Sequence, residues 1–171
     1  MEAWDAITAR RNVREYTEQL VSEHDLNRIA EAGWRAPSAK NRQAWDFVTV
    51  TGKAKLQELS TVWRGAGHIA GAAAAIALIL PEPADERMKV TDRYDLGQAT
   101  YAMMLAAADL GIGTGHSSVG EQAKAREILG VPDDHDVTYL IGVGYPDDRP
   151  LKPIVKLNRL PFDEVVRHGH W

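Results

Sequence analysis

The sequence contains no cysteine. This absence excludes disulfide bonds, thiolate nucleophiles, and zinc or iron–sulfur sites with cysteine ligands. Long hydrophobic runs are also missing: the longest, residues 69–80, is well short of the roughly 20 residues that a membrane-spanning helix needs. The first residues, from Met1 to Asp5, lack the basic region and the apolar stretch of a signal peptide. We therefore expect a cytoplasmic protein without a membrane segment.

The chain also has no excess of positive charge. There are 20 lysines and arginines against 24 acidic residues, so the net charge is −4. This balance argues against general electrostatic binding to nucleic acid or anionic lipid, although a local basic cluster can still bind a small anion. With 171 residues, 44% hydrophobic and 26% charged, the composition is that of one ordinary globular domain.

Hydrophobic periodicity predicts a mixture of helices and strands. Helices are predicted over residues 2–9, 22–34, 53–62, 93–110 and 121–129, and strands over residues 45–50, 73–80 and 137–143. Residues 35–43 and 81–92 are predicted to be loops, the second of them exposed. Because the elements do not alternate as strand–helix–strand units, we predict a single α+β domain over residues 1–171.

The C-terminal tail, residues 145–171, differs from the rest of the chain. It holds four of the eight prolines. It also carries large apolar side chains that have no partner within the tail: Ile154, Val155, Leu157, Leu160, Phe162, Val165, Val166 and Trp171. Two interpretations remain open, a tail wrapped around its own domain and an arm exchanged with a second subunit.

Several common catalytic motifs are absent. The glycine clusters at residues 111–115 and 142–144 do not fit a dinucleotide fingerprint, because the first follows a helix and neither has a third glycine that opens a helix. There is no Walker A, His-Glu-x-x-His or Gly-x-Ser-x-Gly motif. His168 and His170 are interpreted as solvent-facing. We predict no metal site and no catalytic side chain.

Three polar clusters remain. Arg10, Arg11 and Arg14 lie within five residues at the end of a short helix, where they form either a solvated helix terminus or a clamp for an anion. Residues 35–45 are rich in amide and hydroxyl groups, which suit either a turn or a ligand-binding loop. Arg159 is a cation in the apolar tail. A flat, phosphorylated ligand with polar edges would use all three clusters.

Four stretches that include these clusters resemble the nitroreductase family, flavoproteins that bind FMN at a dimer interface. The stretches are residues 10–14, 35–47, 106–118 and 159–166, and they occur in the family's order along nearly the whole chain. The resemblance implies an antiparallel sheet flanked by helices in a domain-swapped homodimer. In that dimer, residues 145–171 are an arm that packs on the partner.

The resemblance also implies roles for individual residues. Arg10 and Arg159 match positions that hold the FMN phosphate, and Arg11 and Asn12 match positions beside the phosphate or the ribityl chain. Arg14 matches a basic position at the pyrimidine edge of the flavin, where a cation stabilises the negative charge of the reduced ring.

Two further segments are expected to reach the flavin. The first is a loop that comes partly from the second subunit, with the residues Arg35, Pro37, Ser38, Ala39, Asn41 and Gln43. The second is a loop whose backbone N–H groups face the ring near N5, with the residues His116, Ser117 and Ser118.

The implied activity is electron transfer from NAD(P)H through flavin N5 to an acceptor such as a nitroaromatic or a quinone. The alternatives are another flavin reaction, such as dehydrogenation or reductive removal of a substituent, and a protein that binds or stores flavin without turnover. Asn12 replaces the family's frequent serine, and Ala44 replaces its usual proline. The short segment 81–92 stands where larger members carry a helical excursion, so the substrate side stays undefined.

Overall fold

A four-stranded antiparallel sheet forms the centre of the molecule. The computed structural model describes residues 1–171. The strands are β1 Asp46–Thr51, β2 Ala74–Pro81, β3 Gly113–Ser118 and β4 His135–Gly144. Their order across the sheet is β1-β2-β4-β3, and every neighbouring pair is antiparallel. β1 and β3 are therefore the edge strands.

Six helices accompany the sheet. They are α1 Ala3–Ala9, α2 Glu23–Trp34, α3 Lys53–Leu59, α4 Glu86–Asp109, α5 Gln122–Leu129 and α6 Phe162–Val165. Two short 3₁₀ helices, Ala39–Asn41 and Gly67–Gly71, lie in connections. None of the helices combines the length and hydropathy that crossing a membrane requires.

The helices cover both faces of the sheet. Even-numbered residues of β2, such as Ile76, pack in a core with α2 and α4, and odd-numbered ones, such as Ile79, pack in a second core with α3 and α5. Side chains of a strand alternate between its faces, so β2 is buried on both sides and reads as a continuous apolar run. The resulting three layers confirm the predicted α+β class.

Three helix ends have characteristic capping residues. The Ser22 hydroxyl accepts a hydrogen bond from the backbone N–H of Asp25 at 3.0 Å and begins α2. Gly111 follows α4 with φ +72°, and Gly130 ends α5 with φ +68°, the left-handed conformation that favours glycine at a helix end. Trp34, the last residue of α2, is 60% exposed.

Three sequence-based predictions need correction. Residues 81–92 are not one exposed loop, because α4 begins at Glu86 behind an N-cap in which Asp85 accepts from the N–H of Met88, and Asp92 is buried. The third helix ends at Leu59 and not at Val62. His116, Ser117 and Ser118 belong to strand β3 and not to a loop.

The C-terminal tail leaves the domain soon after it begins. Residues 145–149 are tied to residues 11–17 by backbone hydrogen bonds and an ion pair. From Lys152 to the end every residue is exposed, including Val155 at 97% and Trp171 at 98%. The only backbone hydrogen bond from this part to the body of the domain runs from Ile154 N–H to the Thr8 carbonyl.

Candidate functional site

A patch of four glycines on β3 and β4 lets another segment lie close to the sheet. Gly113 pairs with Gly144 and Gly115 with Gly142 across the two strands, so the patch is continuous. A Cβ atom at Gly115 would overlap the carbonyl oxygen of Val13. The two Gly-x-Gly motifs therefore serve close packing, which gives the physical reason why neither is a dinucleotide fingerprint.

The segment above this patch consists of residues 10–14 and carries the three arginines; it is the arginine segment. The Val13 N–H donates to the Thr114 carbonyl at 2.9 Å, and Asn12 forms a parallel bridge with Thr114. The Tyr16 hydroxyl donates to the Val13 carbonyl at 2.8 Å, and its ring rests on Gly144. Burial raises the pKa of Tyr16. The arginine segment is thus fixed against the edge of the sheet.

Extended backbone divides the arginine segment into two faces. Arg11 and Val13 are buried, and Asn12 and Arg14 are exposed on the opposite side, with Arg10 half-buried. Neither Arg10 nor Arg14 forms an ion pair with a carboxylate. Arg10 instead lies over the ring of Tyr101 at 5.7 Å. The exposed face therefore presents two guanidinium groups whose charges no acidic side chain neutralises.

A groove of about 400 Å³ opens beside Arg10, between α4 and strands β3 and β4. Its lining comes from four elements: Arg10, Arg93, Leu96, Gly97, Thr100, Tyr101, Met104, His116 and Tyr139. Of the predicted site residues, the structure brings Arg10 and His116 together here. Burial, followed by the charges of Arg14, Arg10 and His68, lowers the pKa of His116, which places Arg14 within electrostatic reach of the same groove.

Arg11 has a different environment from its neighbours. It is only 7% exposed, and its Nη2 contacts the Asp148 carboxylate at 2.8 Å and the Arg149 carbonyl oxygen. This contact lowers the pKa of Asp148. Arg11 therefore ties the arginine segment to the root of the C-terminal tail.

The loop at residues 35–43 is tightly constrained. Lys40, Asn41 and Gln43 all have positive φ angles, between +51° and +56°, which costs energy in residues other than glycine. The Ser38 hydroxyl accepts from the N–H of Gln43 at 3.0 Å. Arg35, in contrast, pairs with Glu31 on the helix surface and lies over the ring of Trp34. Pro37 and Ala39 lie between these contacts.

Two buried aspartates on α4 hold this loop, and neither is among the residues predicted from the sequence. Asp95 accepts from the N–H of Ala39 at 2.8 Å, and Asp92 pairs with Arg42 at 3.3 Å. Asp92 and Asp95 are 3% and 5% exposed. Asp95 and Asp92 precede the buried Ala99 of α4 by four and seven residues, so they lie on the same face of the helix. This helical spacing could have predicted their burial from the sequence.

The predicted site residues do not all converge within one chain. The loop at residues 35–43 shares no hydrogen bond or ion pair with Arg10, Arg14 or His116. Arg159 lies in the exposed tail, where its Nη1 donates only to the neighbouring Asn158 carbonyl. Ser117 is buried and Ser118 exposed on the edge strand, where alternate N–H groups point away from β4.

The three-layer fold and the groove beside Arg10 define an α+β protein with a cationic groove at the edge of its sheet. A sequence profile of the nitroreductase family matches residues 7–66 and 61–145. An Archaeoglobus fulgidus protein, provisionally named NADH dehydrogenase/NAD(P)H nitroreductase, is 32% identical over 86% of this chain and 87% of its own length. The chain belongs to the nitroreductase family.

Solved structures agree with this assignment. An FMN-dependent nitroreductase from Clostridium difficile superimposes with a TM-score of 0.86 at 26% identity, over 98% of this chain and 99% of its own. The NADPH:FMN oxidoreductase from Vibrio harveyi, solved with NAD+, has a TM-score of 0.85 at 24% identity, over 99% of this chain and 77% of its own. The fold is thus that of the nitroreductase family.

Proposed function

We propose that this protein is an FMN-dependent oxidoreductase that takes electrons from NAD(P)H and passes them to a small organic acceptor. The observation that carries the proposal is the exposed face of the arginine segment. Arg10 and Arg14 stand there without acidic partners, beside the unpaired imidazole of His116. Such a set of donors suits an anionic ligand with a phosphate group and a polar ring edge.

The residues present fit FMN. Arg10, with Asn12 on the same face, would hold the phosphate and the ribityl chain, and Arg14 would lie at the pyrimidine edge. Arg11, which faces the other way and pairs with Asp148, would support the segment and would not contact the ligand. The residues His116 and Ser118, which alternate with Ser117 along the strand, would offer N–H groups from the free edge of β3. When bound, FMN supplies the hydride chemistry, and the protein positions it and adjusts its electrostatic environment.

Relatives support the redox assignment. A Vibrio harveyi protein named NADPH-flavin oxidoreductase is 26% identical over 98% of this chain and 73% of its own length. A Bacillus subtilis protein named FMN reductase [NAD(P)H] is 27% identical over the same shares. For this chain, nitroaromatics and quinones are the proposed acceptors, because both accept electron pairs as small flat molecules.

We also propose that the active form is a homodimer in which residues 145–171 cross to the partner. The apolar side chains of the tail are exposed in the single chain. A second copy would bury them, and it would also bring Arg159 and the loop at residues 35–43 to the arginine segment. This arrangement explains why these groups do not meet within one chain.

The visible absorption spectrum of freshly purified protein tests the cofactor. We expect a yellow protein with flavin bands that releases FMN on heating. A preparation that stays colourless after incubation with excess FMN would contradict the proposal.

Anaerobic titration of the yellow protein with NADH and NADPH tests the reaction. We expect at least one of the two to bleach the flavin bands, and quinone or nitroaromatic to restore them. If bound FMN is reduced by neither nicotinamide, the protein binds flavin without this activity.

A further inference from the structure

A stacked pair of a tryptophan and an arginine lies beside strand β3. The guanidinium carbon of Arg64 sits over the ring of Trp63, 5.3 Å from the ring centroid. Trp63 is 39% exposed, and Arg64 is exposed as well. Arg64 forms no ion pair, and its side chain takes part in no hydrogen bond. The pair therefore presents an aromatic surface and a cation without an acidic partner next to each other.

Packing fixes this pair at the end of β3. The carbonyl of Val62 accepts hydrogen bonds from the N–H groups of Gly120 and Glu121, at 3.1 and 2.9 Å. The Trp63 ring lies directly on Gly120, where an added Cβ atom would overlap it. Gly120 follows the last residue of β3 by two positions, so the indole covers the point where the chain leaves the strand.

Two further contacts hold the next residues of this segment to β3 itself. The Nε2 atom of His68 lies 3.0 Å from the carbonyl oxygen of Gly115. A Cβ atom at Gly65 would lie 3.6 Å from the Oγ atom of Ser117. The tryptophan–arginine pair is therefore held beside the half of β3 whose free edge carries N–H groups that point away from β4.

We propose that Trp63 and Arg64 bind the electron acceptor and favour a flat aromatic acid, whose carboxylate pairs with Arg64 while its ring packs on Trp63. The proposal rests on the proposed function, because that function places the flavin ring at the free edge of β3. Selection among acceptors then lies with residues outside the three polar clusters of the sequence.

The physical reason is the combination of charge, orientation and spacing. A guanidinium group pairs with a carboxylate through two parallel hydrogen bonds. Stacking on the indole holds the guanidinium in one orientation before the ligand arrives, so less side-chain freedom is lost on binding. The cation and the indole are about one ring width apart, so a single small molecule with a carboxylate on its ring contacts both. In NAD(P)H, by contrast, a ribose separates the nicotinamide ring from the nearest phosphate.

Steady-state turnover of para-nitrobenzoate and para-nitrobenzamide tests the inference, because the two acceptors have similar shapes and differ in charge. We expect the ratio of their kcat/KM values, nitrobenzoate over nitrobenzamide, to fall at least tenfold in Arg64→Gln, since one charge-assisted pair is lost. The value for nitrobenzamide should stay that of the wild type. Trp63→Leu should lower kcat/KM for both acceptors, because both lose the aromatic surface on which they pack.

Equilibrium binding gives a readout that does not depend on turnover. Benzoate and benzamide carry no nitro group, and each should perturb the visible absorption bands of bound FMN when it packs beside the flavin. We expect the dissociation constant of benzoate to rise at least tenfold in Arg64→Gln, and that of benzamide to stay unchanged. Arg64→Lys keeps the charge but loses the planar group, so its affinity for benzoate should be intermediate.

Two controls make the result specific. Arg87→Gln removes an exposed arginine of α4 and should match the wild type in both assays. The KM for NADH and for NADPH should be equal in the wild type and Arg64→Gln. If it rises in Arg64→Gln as much as the KM for nitrobenzoate does, Arg64 serves the phosphates of the nicotinamide cofactor, and the inference is overturned.

Two different failures are distinguishable. If Arg64→Gln leaves both the ratio of the two acceptors and the affinity for benzoate unchanged, the inference is wrong and the proposed function stands. A protein that binds no FMN, or whose FMN is reduced by neither nicotinamide, would instead contradict the proposed function.

Discussion

Three arginines within five residues have three different environments. Arg11 is buried in an ion pair with Asp148, Arg10 is half-buried over Tyr101, and Arg14 is exposed. The difference comes from extended backbone, in which successive side chains point to opposite faces. Similar residues in one short stretch therefore suit separate tasks: Arg11 anchors the segment, and the other two are the proposed ligand-binding residues.

Arg14→Gln should lower the midpoint potential of bound FMN. The substitution removes a positive charge that would stabilise the reduced, negatively charged ring. We expect a decrease of about 30 mV, which corresponds to about 1.4 kcal/mol for a two-electron couple. Spectroelectrochemical titration measures it, with the exposed Arg87→Gln on α4 as a control of equal charge change. An unchanged potential would show that Arg14 has no such role.

Arg159→Ala should weaken FMN binding at least tenfold. A charge-assisted contact with phosphate contributes about 1.4 kcal/mol or more, and alanine cannot replace it. Fluorescence titration of the apoprotein with FMN gives the dissociation constant. Lys156→Ala removes a cation from the same exposed tail and should bind FMN like the wild type. Equal affinity of both variants would refute the assignment of Arg159.

At the scale of elements, the glycine patch sets how closely the arginine segment approaches the sheet. Gly115→Ala places a methyl group against the Val13 carbonyl, so the segment must move and carry Arg14 with it. We expect a loss of stability of about 1–3 kcal/mol and weaker FMN binding. Urea unfolding and FMN titration measure the two effects.

Gly67→Ala is the matched control for this substitution. A Cβ atom there meets nothing within 4 Å, and its φ is not in the left-handed region. This variant should unfold and bind FMN like the wild type. If Gly115→Ala does the same, close approach to β3 does not position the arginines.

Asp95→Ala should loosen the loop at residues 35–43. The Ala39 N–H loses its acceptor, and a strained loop with three residues at positive φ loses a contact that holds it. We expect the free energy of unfolding to fall by about 1–3 kcal/mol and FMN binding to weaken. Thermal unfolding and FMN titration measure these effects. Glu86→Ala, an exposed position on the same helix, should change neither property.

The sequence predicted the elements whose signals are local. Ser22, Gly111 and Gly130 mark helix ends through their own chemistry, and the apolar run of β2 indicates a strand buried on both faces. Strand β3 escaped prediction because its glycines and serines have low strand propensity. It forms because β4 pairs with it. The burial of Asp92 and Asp95 depends in the same way on a loop some 50 residues away in the chain.

At the scale of the whole molecule, the tail exposes large apolar side chains that have no partner within the single chain. Deleting residues 151–171 leaves the Arg11–Asp148 contact at the root of the tail intact, so the domain should still fold. We expect the truncated protein to be monomeric and to lose its flavin. Light scattering coupled to gel filtration, together with the flavin-to-protein absorbance ratio, measures both. A stable dimer that retains FMN would reject the crossing arm.

Val155→Asp tests the same arm without removing it. Val155 is 97% exposed in the single chain, so a carboxylate there should leave the stability of the monomer almost unchanged. It becomes costly only if a partner covers the position. We expect a dissociation constant of the dimer at least tenfold higher than in the wild type. An unchanged dimer would show that the tail does not pack there.

An arm that crosses between subunits has a genetic consequence. A chain with a defective arginine segment and a chain with a defective tail would each fail alone. When the two chains pair, one of the two sites combines both defects. The other site combines an intact arginine segment with an intact tail. Two inactive alleles would thus complement each other, and a mixed population of dimers would recover part of the activity that neither parent has.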